Sequence, residues 1–189
     1  MKLYIKNMVC DRCKMTVNYQ LAKLGITPTE VHLGEVYFNQ NLTVGQIEKI
    51  EKVLQPLGFE ILRDRKYQVI ESIKNLITQQ LYYGVEKMKL NLSEFISKKL
   101  NKEYAYLSSL FSEVEGITIE KYFILQKIER AKELLMYNEY TLSEIAYSLG
   151  YSSPAHLSNQ FKKITGLTPT YFKKQKENKR TAIDKLEIV

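Results

Sequence analysis

Thr141–Phe172, TLSEIAYSLGYSSPAHLSNQFKKITGLTPTYF, is the stretch that decides how the chain reads. It opens with a capping box, Thr141 three positions before Glu144, which gives acceptors to two backbone N–H groups that a helix start leaves free. Ile145, Ala146 and Leu149 then form an apolar stripe, and Gly150 is placed to take the left-handed conformation that stops the helix. Ser153 followed by Pro154 starts a second helix, since proline at the first helical position gives up an N–H that has no partner there. In this second helix Leu157, Phe161 and Ile164 share one face and commit it to a core. The opposite face shows Ala155, His156, Ser158, Asn159, Lys162 and Lys163, which are small, polar or basic. Such a face suits the DNA major groove: Asn159 can pair with adenine N6/N7, and His156 can reach a base or a phosphate.

Shifting the chain by 50 residues exposes an internal repeat. Leu92-Ser93-Glu94 matches Leu142-Ser143-Glu144, and Ala105, Leu107, Ser108, Phe111, Gly116 and Thr118 match Ala155, Leu157, Ser158, Phe161, Gly166 and Thr168. LSEFISKKLNKEYAYLSSLFSEVEGIT is therefore an earlier copy of the same helix-turn-helix, capped by Asn91 with Glu94. Its expected core is Phe95, Leu107, Leu110, Phe111 and Val114. The copies differ on the exposed face, where the first has Ser109, Ser112 and Glu113, with Glu103 and Glu115 nearby. An acidic helix gains little from phosphate attraction, so Tyr106, Ser108 and Ser109 are its candidate contacts and the second helix is expected to dominate. At the turn, Leu100-Asn101 stands where the second copy has Gly150-Tyr151, and Asn101 is the better left-handed cap. Between the copies, Tyr122, Leu125, Ile128 and Leu135 pattern a helix of about 17 residues from Ile119 to Leu135. It would hold two recognition helices one DNA turn, about 34 Å, apart. Lys127 and Arg130 are expected in ion pairs on its solvated face.

The run Lys127-Ile128-Glu129-Arg130-Ala131, then Leu134-Leu135, LSEIAYSLGYSS, HLSNQFKKITGLTP and Tyr171-Phe172 resembles the DNA-binding region of the AraC/XylS family of bacterial transcription regulators. The resemblance implies an all-α domain over residues 66–175, holding two helix-turn-helix units joined by one long helix. It implies double-stranded DNA as a partner, with RNA polymerase as a further one.

Charge points the same way. The formal net charge is +7 with a sequence pI near 9.2, which favours a polyanionic partner. Residues 1–62 hold 7 Lys+Arg against 6 Asp+Glu, leaving most of the excess with the helical part. No apolar run approaches the roughly 18–20 residues of a membrane span. MKLYIKNMVCDRC has no long apolar segment or small-residue cleavage site, so a cytoplasmic protein with no membrane partner is expected.

Residues 1–62 read as a ferredoxin-like α+β domain. Lys2 to Lys6 alternates as a strand, and a helical pattern runs through Val17, Leu21 and Leu24 to Gly25. Thr29 to Phe38 is extended and broken by Gly34. Thr43 to Leu57 is helical with Val44, Ile47, Ile50, Val53 and Leu54 inward, and Phe59 to Leu62 closes as a strand. Val31 to Phe38 has to turn at Gly34-Glu35, or the sheet loses a strand. Met8-Val9-Cys10-Asp11-Arg12-Cys13 between the first strand and first helix resembles the heavy-metal-associated domain, although Asn7 stands where that family has glycine. The resemblance implies Cys10 and Cys13 as ligands of copper(I) or another soft ion, with Met8 packed beneath the loop. A helix N-terminus lowers thiol pKa and thiolates suit soft ions, so the chemistry is sound. A metal site, a thiol redox switch and an inherited scaffold with idle cysteines all stand open. His32 reads as a surface strand residue.

Arg63-Asp64-Arg65-Lys66 reads as a charged hinge between the domains. Val69, Ile70, Ile73, Leu76, Ile77 and Leu81 follow as an apolar helical face, and residues 176–189 as a basic tail, fraying from Lys173. The leading expectation is a sequence-specific DNA-binding transcriptional regulator whose N-terminal domain responds to a soft metal. A metal-handling protein and a thiol redox switch are the alternatives. No Ser/His/Asp set, phosphate loop or carboxylate pair is present, so no enzyme class has support and no cofactor is required.

Overall fold

The computed structural model of the chain describes residues 1–83, 91–137 and 139–177. Its elements run β1 (Lys2–Lys6), α1 (Asp11–Lys23), β2 (Glu30–His32), β3 (Glu35–Tyr37), α2 (Val44–Leu54), β4 (Glu60–Leu62), α3 (Arg65–Tyr83), α4 (Leu92–Leu100), α5 (Tyr104–Glu115), α6 (Ile119–Tyr137), α7 (Leu142–Ser148), α8 (Pro154–Thr165) and α9 (Pro169–Glu177). Packing gathers them into two compact units that do not coincide with the sequence domains 1–62 and 66–175. One unit holds Met1–Gln80 with Ser93–Ile117, and the other Leu81–Leu92 with Thr118–Val189.

The first unit begins with a four-stranded antiparallel sheet in the order β2-β3-β1-β4, the ferredoxin-like arrangement. Strand alternation sends Leu3, Ile5, Val36 and Ile61 to one face, where Leu3 pairs with Val36 and Ile5 with Ile61. Val17 and Leu21 of α1 and Ile50 and Leu54 of α2 close over them, all four fully buried. Each such side chain contributes roughly 1.5–3 kcal/mol by leaving water. Met8 lies in this core with 0 % exposure. Val44 does not: it is 73 % exposed as the first residue of α2, because the inward stripe starts one turn later at Ile47.

The short segment makes both strands by turning at Leu33-Gly34, one residue earlier than expected. Gly34 has φ +75°, and a Cβ there would stand 1.9 Å from Asn75 Nδ2, so conformation and space both call for glycine. The expected charged hinge is instead the start of α3. Asp64 Oδ1 accepts the Lys66 N–H at 2.7 Å, and Arg63 pairs with Glu51 at 2.7 Å. The side-chain amide of Gln68 donates to the Leu62 carbonyl at 2.8 Å, tying α3 to the end of β4. Ile70, Ile73 and Ile77 of α3 are buried. In the first helix-turn-helix Leu107, Leu110 and Phe111 are buried as expected, but Ile96 takes the inward place given to Phe95, which is half-buried. Asn101 carries the left-handed turn at φ +50°.

The second unit buries Ile128, Ala131, Leu134 and Leu135 of α6 against Ile145 and Ala146 of α7 and Leu157 and Phe161 of α8. α7 has its capping box: Thr141 Oγ1 accepts the Glu144 N–H at 3.2 Å, and Glu144 Oε2 accepts the Thr141 N–H at 2.7 Å. That donated backbone proton holds the Glu144 carboxyl below the usual carboxylate range. α6 runs two residues past its expected end at Leu135, to Tyr137. Lys173 and Lys174 continue α9 rather than fraying, and the remainder of the expected tail, residues 178–189, lies outside the described residues. Tyr151 is 5 % exposed, its hydroxyl has no hydrogen-bond partner among the described residues, and burial pushes its pKa up to about 12.

Two substitutions test this packing. Gly34→Ala should lower stability by about 1–2 kcal/mol from the left-handed backbone alone, read as a shift in urea midpoint. An unchanged midpoint would mean the turn does not need that conformation. Tyr151→Phe should raise stability by about 1 kcal/mol, because it removes an unsatisfied buried hydroxyl. A loss of stability would show that the hydroxyl has a partner in solution.

Candidate nucleic-acid interface

α8 is held in orientation at three places. Ser153 Oγ accepts the His156 N–H at 3.1 Å, Pro154 opens the first turn, and Leu157 and Phe161 are fully buried. The Phe161 ring meets Phe172 of α9 edge-on at 5.5 Å. Leu157 and Phe161 stand at i and i+4 on one face, so Ala155, His156, Asn159, Lys162 and Lys163 are all exposed. Ser158 is half-buried, and its hydroxyl donates to the Pro154 carbonyl at 2.9 Å, leaving it acceptor lone pairs for a ligand. His156 is positioned rather than loose. Its Nδ1 lies 3.1 Å from Ser152 Oγ and its ring meets Tyr151 edge-on at 5.2 Å, so Nε2 is the nitrogen it can offer. The Asn159, Lys162 and Lys163 side chains make no hydrogen bond or ion pair among the described residues.

α5 differs. Tyr106 and Ser109 are exposed and Ser108 is half-buried. The Lys102 ammonium sits 5.6 Å from the Tyr106 ring centre. The carboxylates that make this helix acidic are turned to α3: Glu113 pairs with Lys66 at 3.2 Å and Glu115 with Lys74 at 2.7 Å. These exposed and half-exposed pairs stabilise little, but each sets a cation beside the carboxylate and so offsets part of its repulsion of an approaching phosphate. Lys99 and Lys102, exposed at the end of α4 and in the turn, were not singled out by sequence; the K-K-L-N-K spacing around Asn101 is the signal that marks them.

Arg130 makes the expected i, i+3 pair with Glu133 at 2.7 Å. Lys127 does not face solvent as expected. Its ammonium lies 4.7 Å from the Phe123 ring centre and 4.9 Å from that of Tyr151, and burial lowers its pKa. Two aromatic faces hold it in place of the expected ion pair.

On the N-terminal loop, Cys10 and Cys13 are free, half-exposed thiols with sulfurs 3.4 Å apart at the start of α1. The Cys13 N–H, pointing at the Cys10 sulfur, holds that thiol below its ordinary value. Two thiols converge there, a pair suited to a soft ion by its chemistry, but no group of three or more His, Cys, Asp or Glu that could hold a metal ion forms among the described residues. Asn7 takes φ +70°, the backbone conformation that asparagine tolerates in place of glycine. His32 is an exposed strand residue, 2.7 Å from Glu30 through Nε2. Sequence reasoning passed over Glu71, a buried carboxylate on α3 that accepts the Asn7 N–H at 3.3 Å. Its signal is an acid in the middle of an apolar helical run.

A family model described as a helix-turn-helix domain matches residues 96–175. The Msm operon regulatory protein of Streptococcus mutans is 28% identical over 144 residues, covering 74% of this chain and 50% of that protein. The transcriptional activator AggR of Escherichia coli is 26% identical over 137 residues, covering 70% of this chain and 47% of that protein. Among solved structures, the C-terminal domain of AraT, a response regulator from Geobacillus stearothermophilus, has the same fold. It superposes with a TM-score of 0.51 at 23% identity, over 66% of this chain and 95% of that chain. The chain spans about half the length of the curated relatives it matches. Among the described residues, no helix is long and apolar enough to cross a membrane. With its two helix-turn-helix units, its capped α7 and its solvent-facing α8, the helical part of the chain holds a helix-turn-helix domain of the AraC type over residues 96–175, and the curated proteins it resembles are transcription regulators.

Proposed function

We propose that the chain is a sequence-specific transcription regulator that reads double-stranded DNA chiefly with α8. The observation that carries this is the division of α8 into a fully buried Leu157/Phe161 stripe and an exposed face of Ala155, His156, Asn159, Lys162 and Lys163. Asn159 is the base reader, offering a donor and an acceptor to adenine in the major groove. Lys162 and Lys163, one turn on, neutralise phosphates. α5 contributes a weaker second contact through Tyr106, Ser108 and Ser109. A fragment selection with purified protein should enrich one sequence over competitor DNA; enrichment of none would remove the proposal. On the selected duplex, Asn159→Ala should weaken binding by roughly 5- to 100-fold and relax preference at one base pair. Lys162→Ala should weaken all sequences alike and reduce the salt slope by about one.

The N-terminal unit is proposed as the input, with copper(I) or another soft ion on Cys10 and Cys13. Support comes from the converging thiols and from the route leading away from the loop. Asn7 donates to Glu71 on α3, and one turn on Lys74 pairs with Glu115 of α5, all inside the first unit. In competition against a copper(I) chelator the chain should take up one equivalent, and Cys10→Ser/Cys13→Ser none. Uptake unchanged in the double variant would refute the site.

A further inference from the structure

The first unit contains a cavity of about 730 Å³ beside the strand face that α1 and α2 leave uncovered. The sheet contributes Lys2, Tyr4, Glu35 and Tyr37, α3 contributes Arg65 through Gln79, and the α4–α5 turn contributes Lys99, Lys102 and Tyr106. That volume suits a small organic molecule. The charge on its walls is unbalanced. Glu35 is its single carboxylate and is already taken, by Lys2 at 3.0 Å and by the Tyr37 hydroxyl. Arg65 and Lys99 have no carboxylate partner among the described residues, and Lys102 has the Tyr106 ring alone.

A second, independent feature lies deeper. Asn75 is 5 % exposed and lines the cavity, and its side chain makes no hydrogen bond among the described residues. Its amide atoms are not sealed off, since among the described residues the Tyr151 hydroxyl is the fully buried side-chain polar atom without a partner. They are therefore open to a ligand in the cavity. Gly34 is what admits this side chain, since a Cβ at that position would overlap Nδ2.

We propose that this cavity binds a small organic dianion, a phosphate ester or a dicarboxylate. Arg65, Lys99 and Lys102 hold the charged head, Asn75 hydrogen-bonds the buried end, and Tyr4 and Tyr106 flank the body. Bound there, the ligand bridges β1, α3 and the turn that leads into α5, so it fixes the start of the first recognition helix. The site is separate from the cysteine loop and its occupancy does not depend on DNA.

Isothermal titration of the purified full chain without DNA, at fixed ionic strength, tests it with adenosine monophosphate, succinate and neutral adenosine. At least one of the two anions should bind below about 1 mM while adenosine does not, and the anion that binds identifies the head group. Arg65→Gln and Lys102→Gln, both surface changes, should each weaken that binding by about tenfold, and the near-isosteric Asn75→Asp by at least as much. Failure of both anions, or binding unchanged in all three variants, overturns the assignment and leaves Lys99 and Lys102 as phosphate contacts to DNA. The readout involves no DNA, so its failure is distinct from failure of the DNA-binding proposal.

Discussion

Burial of Leu157 and Phe161 is the constraint on which the functional half of the chain depends. Both are fully buried among Ile128, Ala131, Leu135, Ile145 and Ala146, and the Phe172 ring closes on Phe161 from α9. A helix with two large anchors one turn apart cannot rotate about its axis without emptying a cavity, and emptying a site of that size costs several kcal/mol. The rotation of α8 is thereby set, and with it the identity of the side chains that face solvent. His156 shows the same economy at smaller scale: Ser152 and Tyr151 hold its ring so that one nitrogen is presented outward.

The first unit is organised by α3. Its apolar residues are buried, and its polar residues reach outward to both neighbours: Glu71 to the backbone of Asn7 beside the cysteine loop, Lys66 and Lys74 to the carboxylates of α5. Glu71 is a buried carboxylate under opposing influences. Burial raises its pKa, while the Asn7 N–H, Lys74 and Lys6 act in the opposite direction. A change in the loop that moved Asn7 would leave this carboxylate buried without its donor.

Much of this was legible in the sequence because it is local. The capping box at Thr141 and Glu144, the Ser153-Pro154 start and the 50-residue repeat are written in adjacent residues, and each appears where expected. The misreadings fall where neighbours distant in sequence decide. Phe95 and Ile96 both fit an apolar stripe, and only packing chooses Ile96. Lys127 looks like a solvated cation until Phe123 and Tyr151 close over it. The charged run at Arg63–Lys66 looks like a linker because its cap, Asp64, bonds to a backbone group rather than to a recognisable partner. The α8 face could be read from the heptad-like spacing alone; the cavity beside the sheet could not, since its walls come from four separate segments.

The most direct measurement of the central claim is affinity cleavage from α8. With Cys10 and Cys13 replaced by Ser, Gln160→Cys, beside Asn159 on α8 and outside the contact set, would carry an iron chelate, and the protein would be bound to its selected duplex and activated. The account predicts a few discrete cuts, centred on one major-groove position and abolished by excess unlabelled operator. Uniform cutting along the duplex, or none while the protein remains bound, would show that α8 does not enter the groove and would contradict it.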